Sequence, residues 1–214
     1  MKPDQLARFS AELAKSSLFS QKLLTPSIIQ KYEAYYQAVL KWNEFIPLTT
    51  IVEPVDFARK HILESIFAET LIPESIEEVW DIGTGLGVPG IPIAIIRPDS
   101  LIFLIEANKK KSIFLKEIVH LLQISNVKVL NERFESLPPF SANSCVTSRA
   151  LDDLKHLLPK ILNNTNQSDL TILLGTSELL AETQKLLTSS NRQLSSRKIP
   201  KSIDRLVISV SGCT

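Results

Sequence analysis

Apolar and polar residues alternate in two different ways along this chain, and the change falls near residue 78. Before that point, apolar residues recur with the period of an amphipathic helix. Beyond it, short apolar runs alternate with amphipathic segments, which is typical of a parallel sheet with crossover helices. The pattern therefore predicts a helical extension over residues 1–75, packed on an α/β domain over residues 76–214.

The helical part is predicted to contain three helices. The first is a weakly patterned segment around residues 6–18. The second covers residues 26–42, because Thr25 is a candidate N-cap and a proline follows it at the first helical position. A third helix is expected to begin near Pro54, with His61 beside its apolar face.

The second part is predicted to alternate strands and helices. The strand candidates are residues 79–82, 101–105, 127–130, 145–148, 170–174 and 206–210. The helices between them are expected over residues 91–97, 112–122, 152–162 and 177–187. Residues 191–205 are polar, basic and weakly patterned, so we predict a surface excursion before the last strand.

A glycine-rich turn, Asp81-Ile-Gly-Thr-Gly-Leu-Gly-Val-Pro-Gly90, joins the first predicted strand to the helix that follows it. Glycine is needed where the backbone adopts a positive φ or where a ligand approaches the main chain closely. A dinucleotide site would place its third glycine where this chain has Val88. Asp81 would repel a pyrophosphate but would suit the sulfonium and ammonium groups of S-adenosylmethionine. The turn therefore favours a methyl-donor site over a nicotinamide site.

Glu106 ends the second predicted strand, where a carboxylate can accept hydrogen bonds from both hydroxyls of a ribose. Both kinds of cofactor contain a ribose, so this residue supports a nucleoside site without choosing between them. Gly83, Arg149 and the stretch 133–135 also follow predicted strand ends. Because the carboxyl ends of parallel strands meet at one edge of a sheet, these residues are expected to converge on one cleft.

Composition and charge narrow the class of protein. The 24 Lys and Arg residues against 23 Asp and Glu residues give a net charge of +1, so any RNA contact has to come from local patches. The 2 cysteines, Cys145 and Cys213, predict neither a disulfide framework nor a metal cluster. The sequence shows no signal peptide and no apolar run of the roughly 18 residues that a membrane span needs. A cytoplasmic protein with no metal and no membrane attachment is expected.

Several stretches between residues 40 and 150 share their order with a known family. They are Lys41-Trp42-Asn43, Leu48-Thr49, His61-Ile62-Leu63-Glu64-Ser65, residues 81–98, Lys110-Lys111, Phe114-Leu115, Arg133-Phe134-Glu135 and Ser148-Arg149-Ala150. Together they resemble the RsmG family, also called glucose-inhibited division protein B, which methylates N7 of a guanine in 16S ribosomal RNA. The chain departs from the family's pattern at Pro47, where asparagine is usual, and at Leu174, where lysine is usual.

The resemblance implies an enzyme with the Rossmann-like fold of S-adenosylmethionine-dependent methyltransferases, in which seven strands form a mostly parallel sheet. The cofactor would be S-adenosyl-L-methionine, and the partner would be 16S ribosomal RNA or the small ribosomal subunit. Guanine N7 already exposes a lone pair, so methyl transfer needs no base to remove a proton. No catalytic acid or base is therefore predicted, and alignment of the reactants has to supply the rate.

The resemblance also implies a set of donor-binding residues: Gly83, Gly85, Val88, Glu106, Phe134, Glu135 and Arg149. Glu106 would hold the ribose of the donor. Phe134 and Glu135 would flank its adenine, because a carboxylate can accept from the exocyclic amine while Phe134 offers an apolar face or a backbone amide. A buried core aromatic is the alternative for Phe134.

A second set of residues is expected on the RNA side: Asn43, His61, Lys110 and Arg149. Arg149 can hold a phosphate or the O6 edge of guanine, and the alternative is a strand-end ion pair with Asp152 or Asp153. Lys110 belongs to a run of lysines that opens a predicted helix, where cations oppose the helix dipole. Phosphate contact and a solvated charge run are the two explanations for that run.

His61 and Asn43 also have alternatives. His61 would otherwise be a partly buried helix histidine, and Asn43 a helix C-cap. Both stand at family positions, so a role in shaping the RNA side of the cleft is the other interpretation, and the sequence does not choose between the two.

Two other functions stay open at this point. One is an S-adenosylmethionine enzyme that acts on a different substrate. The other is a catalytically decayed RNA-binding protein of ribosome assembly, for which the missing cation at Leu174 is the motivating feature. The intact glycines and Glu106 argue against decay.

Overall fold

The computed structural model describes residues 3–16, 24–137, 139–140, 143–149, 154–165 and 170–212. Its helices are α1 (Pro3–Ala14), α2 (Pro26–Asn43), α3 (Pro54–Phe57), α4 (Glu64–Glu69), α5 (Gly90–Ile96), α6 (Lys109–Leu121), α7 (Leu154–Asn164) and α8 (Ser177–Leu187). Its strands are β1 (Glu78–Ile82), β2 (Leu101–Ile105), β3 (Val127–Leu130), β4 (Ser144–Arg149), β5 (Leu170–Gly175), β6 (Gln193–Lys198) and β7 (Leu206–Ser211). A π-helical segment, Ala58–Leu63, joins α3 to α4, and a short 3-10 helix covers Phe134–Ser136. The predicted helix ends at residues 17–18 and 152–153 lie outside the described residues.

The strands form a 7-stranded sheet in the order β3-β2-β1-β4-β5-β7-β6. Strands β1 to β5 pair in parallel, whereas β7 runs antiparallel to both β5 and β6. The chain builds outward in one direction from β1 to β3 and in the other direction from β4, so the strand order reverses between β1 and β4. This mostly parallel, Rossmann-like sheet confirms the predicted fold class, and such sheets bind ligands at the point of reversal.

The prediction of a surface excursion over residues 191–205 is wrong in part. Gln193–Lys198 forms β6, an edge strand that pairs with β7 alone. Apart from Leu194, its side chains are exposed. Because this strand has almost no apolar face to bury, it lacks the alternation of apolar and polar residues by which strands are recognised.

The other predicted elements are present, with ends displaced by a few residues. Helix α6 begins at Lys109 because the Asn108 side chain caps it. Its Oδ1 accepts hydrogen bonds from the Lys110 and Lys111 N–H groups at 2.9 and 3.2 Å. Helix α2 has the predicted N-cap, since Thr25 Oγ1 accepts from the Ile28 N–H at 3.4 Å. Local capping chemistry therefore sets these boundaries.

The third helix of the extension is continuous from Pro54 to Glu69 but contains the π-helical segment. At the end of that segment, the Glu64 N–H donates to the Arg59 carbonyl, five residues earlier. A π turn is wider than an α turn and shifts the residues that follow it around the helix axis. The segment has only 6 residues, which is too few to alter the apolar period that predicts the helix.

The helical extension packs directly on the sheet and shares its main hydrophobic core. Tyr32 and Tyr35 of α2 are fully buried, and burial raises the pKa of both. The Tyr35 hydroxyl donates to the Leu86 carbonyl at 2.7 Å, and the Tyr32 hydroxyl donates to the Pro92 carbonyl at 3.0 Å. Helix α2 therefore packs against the glycine-rich turn and the start of α5 and is hydrogen-bonded to both. None of the described helices is long and apolar enough to cross a bilayer.

Candidate active site

The glycine-rich turn lies at the carboxyl end of β1, beside the ends of β2 and β4. Three of its glycines have a positive φ, namely Gly83 (64°), Gly85 (60°) and Gly87 (102°). A β-carbon on Gly83 would meet nothing within 4 Å, and one on Gly85 would approach only the Gly83 carbonyl at 3.9 Å. A β-carbon on Gly87 would lie 2.6 Å from Ile91 Cγ1, so packing requires this glycine. Gly83 and Gly85 leave the main chain open to a ligand, whereas Gly87 lets the turn pack on α5.

Asp81 lies beneath the turn and not in the cleft. Its side chain is 0% exposed and accepts hydrogen bonds from the Thr84 hydroxyl, from the Gly90 N–H at 2.9 Å and from the Thr147 hydroxyl at 3.3 Å. Burial raises the pKa of Asp81 to about 7, although these hydrogen bonds act in the opposite direction. Asp81 therefore ties both ends of the turn to β4. The expectation that its carboxylate faces a cationic ligand is wrong, because no part of the side chain reaches the surface.

Glu106 lies at the end of β2, next to the turn. One oxygen of its carboxylate accepts from the Gly85 N–H at 3.0 Å, and the other accepts from the Asn108 N–H at 2.7 Å. Asn131 Nδ2 donates to the Glu106 backbone carbonyl at 2.8 Å and holds the residue in place. Each carboxylate oxygen has a further lone pair, so the group can still accept from the two adjacent hydroxyls of a ribose.

The other predicted donor-binding residues differ in exposure. The Val88 and Phe134 side chains are buried, each in a hydrophobic cluster. Each of these residues is exposed by 5% or less, so the surface that either can offer a ligand is small. The burial of Phe134 in a hydrophobic cluster agrees with the alternative interpretation, a core aromatic. Glu135 is exposed, and its carboxylate accepts a hydrogen bond from Lys160 Nζ at 3.3 Å.

Arg149 ends β4, and its guanidinium is nearly enclosed, with 9% of the side chain exposed. Its Nη1 donates to the Lys60 carbonyl and to His61 Nδ1, the latter at 3.1 Å. Its Nη2 lies 3.5 Å from Glu64 Oε2 in an ion pair. Burial lowers the pKa of Arg149 to about 10, and the Glu64 carboxylate opposes this shift.

The ion pair of Arg149 is therefore with Glu64. Asp152 and Asp153, the partners expected for a strand-end ion pair, lie outside the described residues. Glu64 is also shared, since Arg205 Nη2 donates to the same Oε2 at 3.1 Å. Two arginines from distant parts of the chain thus meet on one buried carboxylate.

His61 is a neutral member of this network. A guanidinium only donates hydrogen bonds, so Nδ1 accepts from Arg149 and the ring proton is on Nε2, which lies 3.0 Å from Thr49 Oγ1. Burial, followed by the nearby charge of Arg149, lowers the pKa of His61 to about 2. The imidazole is 3% exposed. It is more deeply buried than the partly buried helix histidine that was the alternative interpretation, and it orients the guanidinium.

Asn43 fixes the loop that presents Thr49. Its Oδ1 accepts from the Leu48 and Thr49 N–H groups at 2.8 and 3.0 Å, and its Nδ2 donates to the Thr49 carbonyl at 2.9 Å. The C-cap position of α2 belongs to Glu44, so the C-cap interpretation of Asn43 is wrong. A chain of contacts thus leads from Asn43 through Thr49 and His61 to Arg149.

The π-helical segment supplies part of this network. In an α-helix the Glu64 N–H would bond to the Lys60 carbonyl. Here it bonds to the Arg59 carbonyl, and the Lys60 carbonyl accepts from Arg149 instead. The Ser65 hydroxyl donates to the His61 carbonyl at 2.6 Å. Helical segments of this kind are frequent at functional sites, and this one gives Arg149 a main-chain acceptor.

Lys110 lies apart from that network, in the first turn of α6. Its side chain is exposed, as is that of Lys109. Because Asn108 both caps α6 and donates to Glu106, the lysines follow directly on the rim of the cleft. Among the residues with a described structure, no cluster of His, Cys, Asp or Glu side chains could hold a metal ion.

Sequence reasoning did not single out Glu64 and Arg205 as members of the site. A signal exists for Glu64, which lies one helical turn after His61 in a stretch that carries the family resemblance. No local pattern could identify Arg205, because it is 141 positions from its partner. It lies in the segment that was interpreted as a solvated loop.

Comparison with known sequences gives a consistent set of relatives. A family model described as GidB, rRNA small subunit methyltransferase G, matches residues 28–206. A ribosomal RNA small subunit methyltransferase G from Dichelobacter nodosus is 39% identical over 131 residues, covering 61% of this chain and 62% of that protein. A protein of the same name from Vibrio cholerae serotype O1 is 35% identical over 145 residues, covering 66% of this chain and 68% of that protein. The match to the Dichelobacter protein thus spans about three fifths of that relative's length.

Solved structures share the fold at low sequence identity. A SAM-dependent methyltransferase from Aquifex aeolicus superposes with a TM-score of 0.59 at 14% identity, covering 82% of this chain and 97% of that chain. A precorrin-6y C5,15-methyltransferase from Geobacter metallireducens superposes with a TM-score of 0.58 at 14% identity, covering 80% of this chain and 94% of that chain. At such identities the likeness establishes the fold alone.

Proposed function

Because the chain belongs to the GidB family, rRNA small subunit methyltransferase G, we propose that it transfers a methyl group from S-adenosylmethionine to N7 of a guanine in 16S ribosomal RNA. The observation that carries this proposal is the open glycine-rich turn with Glu106 on one side and Arg149 on the other. The proposed substrate gives the protein 16S ribosomal RNA or the small ribosomal subunit as its partner and the cytoplasm as its location.

The residues around the turn fit such a donor. Gly83 presents main chain to open space, which a side chain at that position would occupy. Glu106 retains lone pairs for two ribose hydroxyls, and Gly85 fixes the carboxylate by donating to it. Val88 would contribute main-chain atoms only. The donor supplies an electrophilic methyl group on a sulfonium, and these residues bind and orient it.

The adenine end of the donor is assigned to the 3-10 helix after β3. Phe134 is buried, so its proposed contribution is a main-chain contact. The Glu135 carboxylate can accept from the exocyclic amine of adenine while keeping its contact with Lys160, because each carboxylate oxygen has two lone pairs. Both residues follow the end of a strand next to β2, which ends in Glu106.

Arg149 is proposed to hold the RNA close to the donor. The pairing of Ile82 with Ser148 brings the end of β4 beside the start of the glycine-rich turn. A guanidinium there can donate to guanine O6 or to a phosphate. Because N7 needs no deprotonation, alignment of the reacting atoms is the main task of the site, and such positioning can contribute about 7 to 11 kcal/mol.

The remaining RNA-side residues are assigned different roles. Lys110 is proposed to contact phosphate directly. Asn43 and His61 are proposed to act through Arg149, since their side chains hold the loop and the imidazole that orient it. We therefore propose that residues 1–75 form an extension that completes the active site of a methyltransferase domain at residues 76–214.

The proposal is tested first by measuring donor binding. Calorimetric titration of S-adenosylmethionine is expected to show binding, and NAD is expected to show none. A Glu106→Gln variant is expected to bind the donor at least tenfold more weakly, because an amide loses charge-assisted acceptance and brings an N–H group against a backbone donor. Glu132→Gln, at an exposed position, is the matched control and should bind normally.

Methyl transfer is then measured with unmodified 16S ribosomal RNA, and the product is digested and searched for N7-methylguanosine. Wild-type protein is expected to form it, and Arg149→Ala is expected to lose most of the transfer, by more than any weaker donor binding of the same variant accounts for. Donor binding without transfer to any RNA tested would instead indicate a methyltransferase with another substrate. An absence of donor binding would leave an RNA-binding role in ribosome assembly and would overturn the proposal.

A further inference from the structure

A cavity of about 420 Å³ lies on the β5 side of Arg149. Its walls come from the π-helical segment and α4, from the ends of β4 and β5, and from the loop between β6 and β7. The loop contributes residues 199–205, including Ile203, whose side chain is 96% exposed. Cavities of this size hold small ligands, and a single nucleotide fits within that range.

The acceptor chemistry of the cavity centres on Glu64. This residue is 4% exposed and lines the cavity together with both of its arginine partners. Arg149 and Arg205 contact the same oxygen, Oε2. Within the described part of the chain, Oε1 has no hydrogen-bond donor. Oε1 is not among the fully buried atoms without a partner, so it has accessible surface and can accept from an N–H group of a ligand in the cavity.

Two residues of the cavity wall have buried polar atoms without a hydrogen-bond partner. Only three buried side-chain polar atoms lack a hydrogen-bond partner within the described residues, namely Ser16 Oγ, Arg192 Nε and Arg205 Nε. Two of them, Ser16 Oγ and Arg205 Nε, belong to residues of the cavity wall. Leaving such groups unpaired is costly, and native structures usually satisfy them. Those two atoms are closed to a ligand, but the Arg205 side chain is 27% exposed. The cavity therefore offers an acceptor, Glu64 Oε1, beside the guanidinium of the partly exposed Arg205.

We propose that this cavity receives the target guanine base, with Glu64 Oε1 accepting from its N1–H and N2–H groups and the Arg205 guanidinium donating to its O6. This rests on the proposed function and names the residues that would select the base. Guanine presents an acceptor next to two donors on this edge, which matches a guanidinium donor beside a carboxylate acceptor. Adenine has an amine in place of O6, which would face the donating guanidinium of Arg205. It has a ring acceptor in place of N1–H, which would face the accepting carboxylate of Glu64. The N7 atom lies on another edge of the purine and stays available for the reaction.

The pocket gives the loop between β6 and β7 a role in the reaction. A base reaches such a cavity only when it leaves its stack, and leaving the stack is unfavourable. The exposed Ile203 at the cavity wall is an apolar contact that can offset part of this cost. The Ile199 N–H donates to the Arg205 carbonyl at 2.9 Å, which closes the loop and fixes Arg205 against Glu64.

The test uses 16S ribosomal RNA in which the methylated guanine, once mapped, is replaced by inosine, which lacks the N2 amine. For wild-type protein, kcat/KM is expected to fall about tenfold or more with inosine, because a hydrogen bond to a charged acceptor is lost. For Glu64→Gln, kcat/KM on guanine should fall and the additional loss with inosine should shrink to less than threefold. Glu182→Gln, in an exposed ion pair on α8, is the control and should keep the full inosine effect.

A second variant, Arg205→Lys, keeps the positive charge near Glu64 and removes the guanidinium that donates to O6. It is expected to lower kcat/KM on guanine while the affinity for S-adenosylmethionine stays unchanged. An inosine effect that is equally large in wild type and in folded Glu64→Gln would overturn the pocket, even if N7 methylation is observed.

Binding of guanosine monophosphate, followed by saturation-transfer NMR, separates this proposal from the proposed function. Wild type should bind guanosine monophosphate more tightly than inosine or adenosine monophosphate, and Glu64→Gln should lose that preference. Glu64-dependent guanine binding without methyl transfer would overturn the function and keep the pocket. Methyl transfer without any guanine preference that depends on Glu64 or Arg205 would overturn the pocket and keep the proposed function.

Discussion

Asp81 links the glycine-rich turn to pH through a single buried carboxyl group. Burial raises its pKa to about 7 in the folded protein, against an ordinary value of 3.8. Between these values the folded state binds more protons than the unfolded state, so this group lowers stability as the pH rises through that window. The slope is at most about 1.4 kcal/mol per pH unit.

An Asp81→Asn variant should lose this dependence. The amide oxygen can still accept from Gly90, and the amide nitrogen can donate to Thr147, so the turn should keep its shape. We expect its stability relative to wild type to increase from pH 4 to pH 7, measured by urea unfolding. Asp99→Asn, at an exposed position, controls for the general loss of a carboxylate. Equal slopes for wild type and Asp81→Asn would contradict the assignment.

Single residues also show where prediction from sequence ends. Glu106 and the glycines could be identified because strand ends and turns carry local signals. Glu64 and Arg205 could not be connected, because their contact spans 141 positions and depends on how the β6–β7 loop returns to the extension. The orientation of Asp81 was also missed, since a sequence shows that an acid precedes the turn but not which way its side chain points.

The glycine-rich turn is the element in which structural and binding roles can be separated. Gly90 has no room for a side chain, because a β-carbon there would lie 2.3 Å from Leu104 Cδ2 and 2.8 Å from Asp81 Oδ2. Gly83 has open space around it and a φ of 64°. The two positions should therefore respond differently to the same substitution.

Gly90→Ala is expected to lower the free energy of unfolding by about 1 to 3 kcal/mol through overpacking. Gly83→Ala should cost about 1 to 2 kcal/mol from backbone strain alone, yet should weaken donor binding at least tenfold because the new methyl group enters the proposed donor space. Urea unfolding and calorimetric titration of both variants measure the two effects. Undiminished donor affinity in folded Gly83→Ala would contradict the placement of the donor.

At the level of elements, the sequence predicts what is buried and misses what is not. Six strands were recognised because their apolar runs are long enough to stand out, and the exposed β6 was not. The helix from Pro54 was recognised, but the π-helical segment inside it was not. Both omissions concern backbone hydrogen bonding. The pattern of apolar residues shows which side chains are buried, so it reveals a backbone feature only when that feature changes their burial.

For the whole molecule, a net charge of +1 means that RNA affinity depends on a few local cations. Lys110→Gln is expected to weaken RNA binding and to reduce the slope of log K against log salt by about 0.7 to 0.9, the value for one lost phosphate contact. Filter binding of 16S ribosomal RNA at several KCl concentrations measures this slope. Lys116→Gln, on another face of α6 and also exposed, is the matched control. Identical slopes for the two variants would show that Lys110 belongs to a solvated charge run.

The edge position of β6 has a consequence for how copies of this protein meet one another. An edge strand offers unpaired backbone groups, along which a second sheet could add and start an aggregate. Here that edge presents Arg197 and Lys198 on a strand whose side chains are nearly all in solvent. A second copy that paired along the same edge would have to remove these cations from water and would find little apolar surface to bury. The hairpin that closes the cavity therefore also protects the sheet from growing.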